Sequence, residues 1–151
     1  YMETLVQKVE KIAEGAALMT GTRLEFSRPE KANSDMITNY PMARRMKQHL
    51  DELGLQLLDA KPEEGTGSTD WGNVSYVTPS VEASYPILDH ICTWHSQEVV
   101  EAAGSELGYR NTLTVAKALA LTGLDLIEDP SLLGSVKDAF QSELARRQAA
   151  G

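Results

Sequence analysis

The sequence predicts a fold that combines helices and strands, and three observations support this prediction. Residues 3–19 carry apolar side chains at helical spacing: Leu5, Val9, Ile12 and Ala16. That spacing is typical of an amphipathic helix. Residues 22–27 alternate apolar and polar side chains, which predicts a strand with one wet face. Further strand-like runs alternate with helical patterns along the rest of the chain.

A second helix is predicted to begin after Asn39, which is a good N-cap residue, with Pro41 in its first turn. Apolar residues on one face of this helix form the predicted buried stripe: Met42, Met46, Leu50 and Leu53. Gly54 is expected to close the helix, as Gly21 closes the first. The polar residues 30–35 are interpreted as a connection between two structural units.

The middle of the chain predicts short strands separated by loops. Strands are expected over 55–59 and 73–77, with a continuation over 81–87 beyond Pro79. The segment 61–69 contains one proline and two glycines among charged and hydroxyl residues, and is predicted to be a loop.

Three helices are predicted in the last third, over 97–103, over 112–127, and from the Asp129-Pro130 pair onward. That pair combines an N-cap residue with a first-turn proline. The last helix has an apolar stripe formed by Leu133, Val136, Phe140 and Leu144.

The charge of the chain argues against nucleic acid as a partner. Its 151 residues carry a formal net charge of −8, whereas a phosphate-binding surface needs a basic patch. The basic run Arg44-Arg45-Met46-Lys47 is interpreted as a solvated helix face. No apolar run approaches the length of a membrane span, and the single cysteine, Cys92, suits a reducing compartment. A cytoplasmic protein with Cys92 as a small buried residue is therefore expected.

His95 and Asp70 are the two residues singled out for chemistry. His95 follows a predicted strand at a loop, where an imidazole can serve as a metal ligand, although a histidine in this setting is more often structural. Asp70 lies in a loop rich in Gly, Ser and Thr, where its carboxylate can face a cation or an amide; the alternative is an Asp that caps its own turn. His49, His90 and the Glu63-Glu64 pair are interpreted as surface or structural residues.

The order of several motifs resembles the C-terminal part of the zinc-dependent aminoacylase and carboxypeptidase amidohydrolases, which include p-aminobenzoyl-glutamate and auxin-conjugate hydrolases. The motifs are the loop and run Gly67-Ser68-Thr69-Asp70-Trp71-Gly72-Asn73-Val74-Ser75, the turn Thr93-Trp94-His95-Ser96, the segment Glu101-Ala102-Ala103-Gly104 and the helix containing Ala116-Lys117-Ala118-Leu119-Ala120.

The resemblance implies an α/β catalytic domain with one or two zinc ions, interrupted by a ferredoxin-like lid that mediates dimerisation. Residues 1–30 would then be the end of the lid and residues 31–151 the C-terminal part of the catalytic domain. His95 matches the late metal-ligand histidine of the family, and Asp70 matches an acidic residue near the metal site. Arg23 or Arg28 could bind a substrate carboxylate from the lid through a bidentate guanidinium, but a surface role is favoured for both.

The resemblance also implies a function. The expectation is a metal-dependent amidohydrolase that cleaves the amide bond of N-acyl amino acids or small peptide-like substrates. Family members take their other ligands and their Glu-Glu general base from a segment before the lid, so this segment alone is expected to be inactive, with no catalytic residue of its own. The alternative is a non-catalytic dimerisation or interaction module derived from that family.

Overall fold

The structure is a computed structural model that describes residues 1–28, 30–57 and 67–150. The chain divides into two compact units, Tyr1–Ala32 and Asn33–Gly151. The described residues form six helices, given in chain order: α1 (Met2–Thr20), α2 (Tyr40–Glu52), α3 (Trp71–Ser75), α4 (Gln97–Ala103), α5 (Glu106–Glu128) and α6 (Pro130–Ala150).

The α/β prediction is wrong, because the described part of the chain is helical and contains no strand. The predicted helices do form, with α4 at its predicted bounds and α5 beginning six residues earlier than expected. A strand requires hydrogen bonds to a neighbouring strand, and the alternating segments find none within 1–28, 30–57 and 67–150.

The first unit consists of α1 and a tail without regular secondary structure. Gly21 ends the helix in the left-handed conformation, with φ 69°, and donates its backbone N–H to Ala17. Residues 22–28, predicted as a strand to position 27, continue without secondary structure. Arg28 reaches back to Glu10 of α1, with 3.5 Å between Nη2 and Oε1.

The core of the second unit lies between α2 and α5, with α6 packed against both. Its central side chains are Met46 and Leu50 from α2 and Val115 and Ala118 from α5, all buried. The predicted stripe of α2 is therefore confirmed at its first three positions, whereas Leu53 is 39% exposed because it follows the end of the helix.

Asn39 fixes the start of α2, as predicted. Its Oδ1 accepts a hydrogen bond from the Met42 backbone at 3.2 Å, and its Nδ2 donates to the Val136 carbonyl of α6 at 2.8 Å. Its backbone N–H donates to the Ser80 carbonyl at 2.9 Å. One residue thus joins α2, α6 and the segment after α3.

The segment predicted as a strand over 73–77 is instead helix α3 and the turn that follows it. The Asn73 and Ser75 side chains accept hydrogen bonds from the backbone of Ser34 (2.7 Å) and Ile37 (2.9 Å). Gly72 lets α3 approach this segment, because a Cβ at position 72 would collide with the Ser34 carbonyl. These contacts reach residues 38 and 39 positions earlier in the chain, so the pattern along 73–77 does not reveal them.

Two segments without regular secondary structure pack on the α2–α5 core. Leu55 and Leu57 belong to the first, and Val81, Ala83 and Tyr85 belong to the second. In the second segment the intervening residues are exposed. Burial therefore alternates along this segment as it would in the predicted strand, although no strand is formed among the described residues. Residues 58 and 59 of the first predicted strand lie outside the described residues.

Candidate functional site

His95 lies on an exposed turn immediately before α4. Its backbone has φ 61°, the left-handed region that non-glycine residues rarely adopt. Trp94 beside it is 71% exposed. Ser96, at the N-cap of α4, makes no side-chain cap bond, and its Oγ is buried without a hydrogen-bond partner among the described residues. The turn thus presents an imidazole and an indole to solvent on a constrained backbone.

Asp70 occupies the N-cap position of α3. Its backbone carbonyl accepts hydrogen bonds from Asn73 at 2.9 Å and Val74 at 3.4 Å, but its side chain makes no cap bond. The Trp71 N–H is instead satisfied by Thr69 Oγ1 at 3.2 Å. The carboxylate of Asp70 is exposed, and capping does not account for the choice of an acid at this position.

The described residues do not bring together a metal site of their own. No group of three or more His, Cys, Asp or Glu residues able to hold a metal ion exists in the described part of the chain. His95 therefore offers one imidazole without companion ligands from the described residues. Glu63 and Glu64, predicted to be surface charge, lie outside those residues.

The side chains of the other two histidines contact carboxylates. His49, predicted to lie on a charged helix face, is instead buried between α2 and α5, with Nε2 2.6 Å from Asp125 Oδ2. Arg45 Nε lies 3.2 Å from the same oxygen. His90 is exposed, and its two ring nitrogens each lie 2.7 Å from a carboxylate, of Asp89 and of Glu98. Hydrogen bonds to Glu98, and then to Asp89, raise the pKa of His90.

An ion-pair cluster that sequence reasoning missed joins α6 to the turn after α3. Arg147 pairs with Asp35 and with Glu143, and its Nη1 donates to Tyr76 Oη at 3.0 Å. Arg146 also binds Glu143, at 2.6 Å between Nη2 and Oε1. These two guanidinium groups lower the pKa of Glu143 to about 2, and the Arg147 guanidinium lowers the pKa of Asp35.

The cluster borders a groove of about 430 Å³ lined by residues of α6 and of the segment 36–40. Its charges are paired with one another, so its evident role is to hold the segment 33–39 against α6. The pairs within α6 have local spacing, but no local pattern signals the link to Asp35, which is separated from Arg147 by 112 positions.

The candidate lid arginines are exposed and ion-paired. Arg23 lies 2.6 Å from Glu25, and Arg28 pairs with Glu10 as described above. Cys92 is half-buried rather than fully buried. Among the described residues, no helix is long and apolar enough to span a membrane.

Comparison with known proteins relates the chain to peptidases. No protein-family model matches it. It is 33% identical to the Xaa-Arg dipeptidase of Mus musculus over 149 residues, which cover 97% of this chain and 34% of that protein. It is 31% identical to the Xaa-Arg dipeptidase of Homo sapiens with the same coverage.

The chain thus spans about a third of the length of the curated relatives it matches. The similarity supports a relationship to the peptidase and amidohydrolase class, and does not single out the aminoacylase-type subfamily that the motifs resemble.

Proposed function

We propose that this chain is part of a metal-dependent amidohydrolase or peptidase that cleaves the amide bond of an N-acyl amino acid or a small peptide. The observation that carries the proposal is the similarity of 97% of the chain to proteins named as dipeptidases. Dipeptides that end in arginine are the first substrates to test, because those relatives are named for them. A cytoplasmic location remains a prediction.

In this proposal His95 is the zinc ligand that the segment contributes. Its exposure and constrained backbone support the assignment, because residues held in uncommon backbone regions cluster at functional sites. Asp70 is assigned a place beside the site, as an exposed carboxylate that does not cap its helix. Because the described residues form no metal-binding group, no catalytic step is assigned to this chain.

The two compact units fit two roles in such an enzyme. We assign residues 1–30 to the end of a lid that mediates homodimerisation, and residues 31–151 to part of the catalytic domain. The division of the chain after Ala32 is compatible with this assignment.

The test is a chimera of mouse Xaa-Arg dipeptidase in which this chain replaces the matched segment. We expect purified chimera to retain zinc and to hydrolyse a dipeptide ending in arginine. His95→Ala is expected to remove bound zinc and activity together, whereas His90→Ala, at an exposed histidine in the neighbouring turn, is the matched control and leaves both in place. Zinc content and activity that survive His95→Ala would refute the assignment.

A non-catalytic interaction module is the second candidate. The observation that favours it is the lack of a ligand group in the described residues. A folded chimera that binds no zinc although His95 is intact would support the module and contradict the enzyme.

A further inference from the structure

The groove between α6 and residues 36–40 is lined by both apolar and polar side chains. Its volume of about 430 Å³ lies within the range of small-molecule sites, roughly 300–1,000 Å³. Met36 and Ala139 line it and are half-buried. Thr38, Tyr40 and Ser142 also line it, and their hydroxyl groups make no hydrogen bond to any residue that the structure describes. The groove therefore combines an apolar contact surface with polar groups that can bind a ligand.

Two oppositely charged groups lie side by side in the lining of this groove. Arg146 Nη2 lies 2.6 Å from Glu143 Oε1, and Arg146 Nε lies 2.8 Å from Glu143 Oε2. Within the described chain, Nη1 of Arg146 makes no hydrogen bond, and Oε2 of Glu143 accepts only the one from Arg146. Solvent reaches both side chains, since that of Arg146 is 67% exposed and that of Glu143 29%. Each group thus keeps the capacity for one more charged hydrogen bond.

The charges around the groove balance. Arg146 and Arg147 are positive, and Asp35 and Glu143 are negative. Glu143 stays ionised at neutral pH because the two guanidinium groups lower its pKa to about 2. A simple anion would meet Glu143 and a simple cation would meet Arg146, so the groove favours neither. A ligand that carries both charges on neighbouring atoms can bind both groups at once.

A free α-amino acid in its zwitterionic form has this chemistry. Its ammonium and its carboxylate are attached to the same carbon, so the two charges are adjacent, as are those of Glu143 and Arg146. In a dipeptide the two terminal charges lie one residue further apart, by up to about 3.6 Å. Met36 and Ala139 offer apolar contacts to the side chain of the bound amino acid, which favours an apolar side chain.

We propose that the groove between α6 and residues 36–40 binds a free amino acid with an apolar side chain. Arg146 binds its carboxylate and Glu143 binds its ammonium. This site is separate from the residues assigned to the proposed enzyme, because neither His95 nor Asp70 lines the groove.

Titration of this chain with L-leucine, followed by NMR of the backbone amides, tests the site. We expect saturable shifts of the amides of residues 36–40 and 139–147. N-acetyl-L-leucine lacks the ammonium and L-leucinamide lacks the carboxylate, so each should bind about ten- to a hundredfold more weakly. Leucylglycine should also bind more weakly, because its charges are further apart. No saturable shift up to about 10 mM L-leucine, or equally tight binding of these analogues, would overturn the proposal.

Arg146→Gln separates the ligand site from the ion pairs that link α6 to residue 35. Among the described residues Arg146 pairs with Glu143 alone, whereas Arg147 keeps its contacts with Asp35 and Glu143. We expect the variant to stay folded and to bind L-leucine at least about tenfold more weakly. Arg110→Gln, at an exposed arginine of α5 that does not line the groove, is the matched control and should bind as the parent does. Undiminished binding by a folded Arg146→Gln variant would overturn the proposal.

Ser142→Trp is a second variant, for the case that Arg146→Gln does not fold. Ser142 is exposed and lines the groove, so an indole at this position would occupy the space of the ligand. We expect L-leucine binding to be lost while the far-ultraviolet circular dichroism is unchanged. Gln141→Trp, at an exposed position of α6 that does not line the groove, is the control and should retain binding. Full binding by a folded Ser142→Trp variant would contradict the site.

The amino-acid site and the proposed function fail in different ways. Shifts confined to the turn of His95 would place L-leucine at the site of the proposed enzyme and would overturn the assignment to the groove. Groove shifts in a chimera that binds no zinc would support the amino-acid site and contradict the metal-dependent enzyme.

Discussion

Asn39→Ala is the substitution whose cost follows most directly from the structure. Asn39 is 3% exposed and makes two side-chain hydrogen bonds, one that caps α2 and one to the Val136 carbonyl of α6. Loss of an N-cap side chain costs about 1 kcal/mol. Loss of a buried neutral hydrogen bond costs about 1 kcal/mol more. The free energy of unfolding should therefore fall by about 2 kcal/mol.

Asn39→Ser separates the two contributions. Serine retains an oxygen that can accept from the first turn of α2, but its side chain is too short to reach Val136 and it has no amide donor. We expect Asn39→Ser to lose about half as much stability as Asn39→Ala. Arg44→Ala, at an exposed position of the same helix, is the matched control and should leave stability within about 0.5 kcal/mol of the parent.

Urea unfolding followed by far-ultraviolet circular dichroism measures these differences, provided that the slope of the transition is unchanged. Two results would refute the reasoning. If Asn39→Ala unfolds at the parental urea concentration, neither hydrogen bond stabilises the fold. If Asn39→Ser is as unstable as Asn39→Ala, the cap contributes nothing and the α6 contact carries the whole effect.

Three further predictions concern backbone space and titration. Gly72→Ala should lower the free energy of unfolding by about 1–3 kcal/mol because its Cβ meets the Ser34 carbonyl, whereas Gly134→Ala, which has open space in α6, should raise it by up to about 1 kcal/mol. If urea unfolding ranks the two variants in the opposite order, the close approach of α3 to Ser34 is contradicted. The pKa of Glu143 is lowered from 4.5 to about 2, so its contribution to stability is present above pH 4.5 and is lost as the pH falls through about 2. Acid unfolding of Glu143→Gln should lack this part of the pH dependence, and an unchanged acid transition would contradict it. The pKa of His90 is raised above 6.5, so its contribution to the stability of the fold is present below pH 6.5 and is lost as the pH rises through the folded-state pKa. A titration midpoint of His90 at or below pH 6.5, measured by NMR, would contradict its contacts with Asp89 and Glu98.

The features that the sequence predicts correctly are local. The N-cap of Asn39 and the stop at Gly21 each involve residues within one helical turn. Asp129 is a further example, because its side chain accepts from the Ser131 and Leu132 backbone at 2.9 and 3.1 Å, as the Asp-Pro pair predicts. Caps of this kind depend on side chains a few positions away, which a single sequence displays directly.

The strand predictions fail for a non-local reason. Residues 81–85 have the alternating burial of a strand, but a strand also needs a hydrogen-bonded neighbour, and the described residues provide none. Residues 73–77 fail differently, because Asn73 and Ser75 are used by the backbone of 34–37, nearly forty positions earlier in the chain. The spacing of apolar residues reveals neither the lack of a hydrogen-bonded neighbour for 81–85 nor the use of Asn73 and Ser75 by the backbone of 34–37.

The candidate site likewise combines features that the sequence predicts with features that only the structure shows. The sequence singles out His95 and Asp70 as residue types suited to metal chemistry, and the structure adds that both are exposed, that His95 has an uncommon backbone conformation and that Asp70 does not cap its helix with its side chain. The link between Asp35 and Arg147 is decided by tertiary structure alone, because these residues lie 112 positions apart, whereas Glu143 and Arg147 lie four positions apart on α6.

By itself, the sequence predicted five of the six described helices and the caps at Gly21, Asn39 and Asp129, and it singled out the two candidate site residues, because these inferences depend on side-chain chemistry and on contacts within about one turn. Only the tertiary structure decided that the alternating segments remain unpaired in the described chain and that His49 is buried against Asp125. Those outcomes depend on which distant groups meet, and the energy of a hydrogen bond or an apolar contact is gained only when both partners are brought together in space.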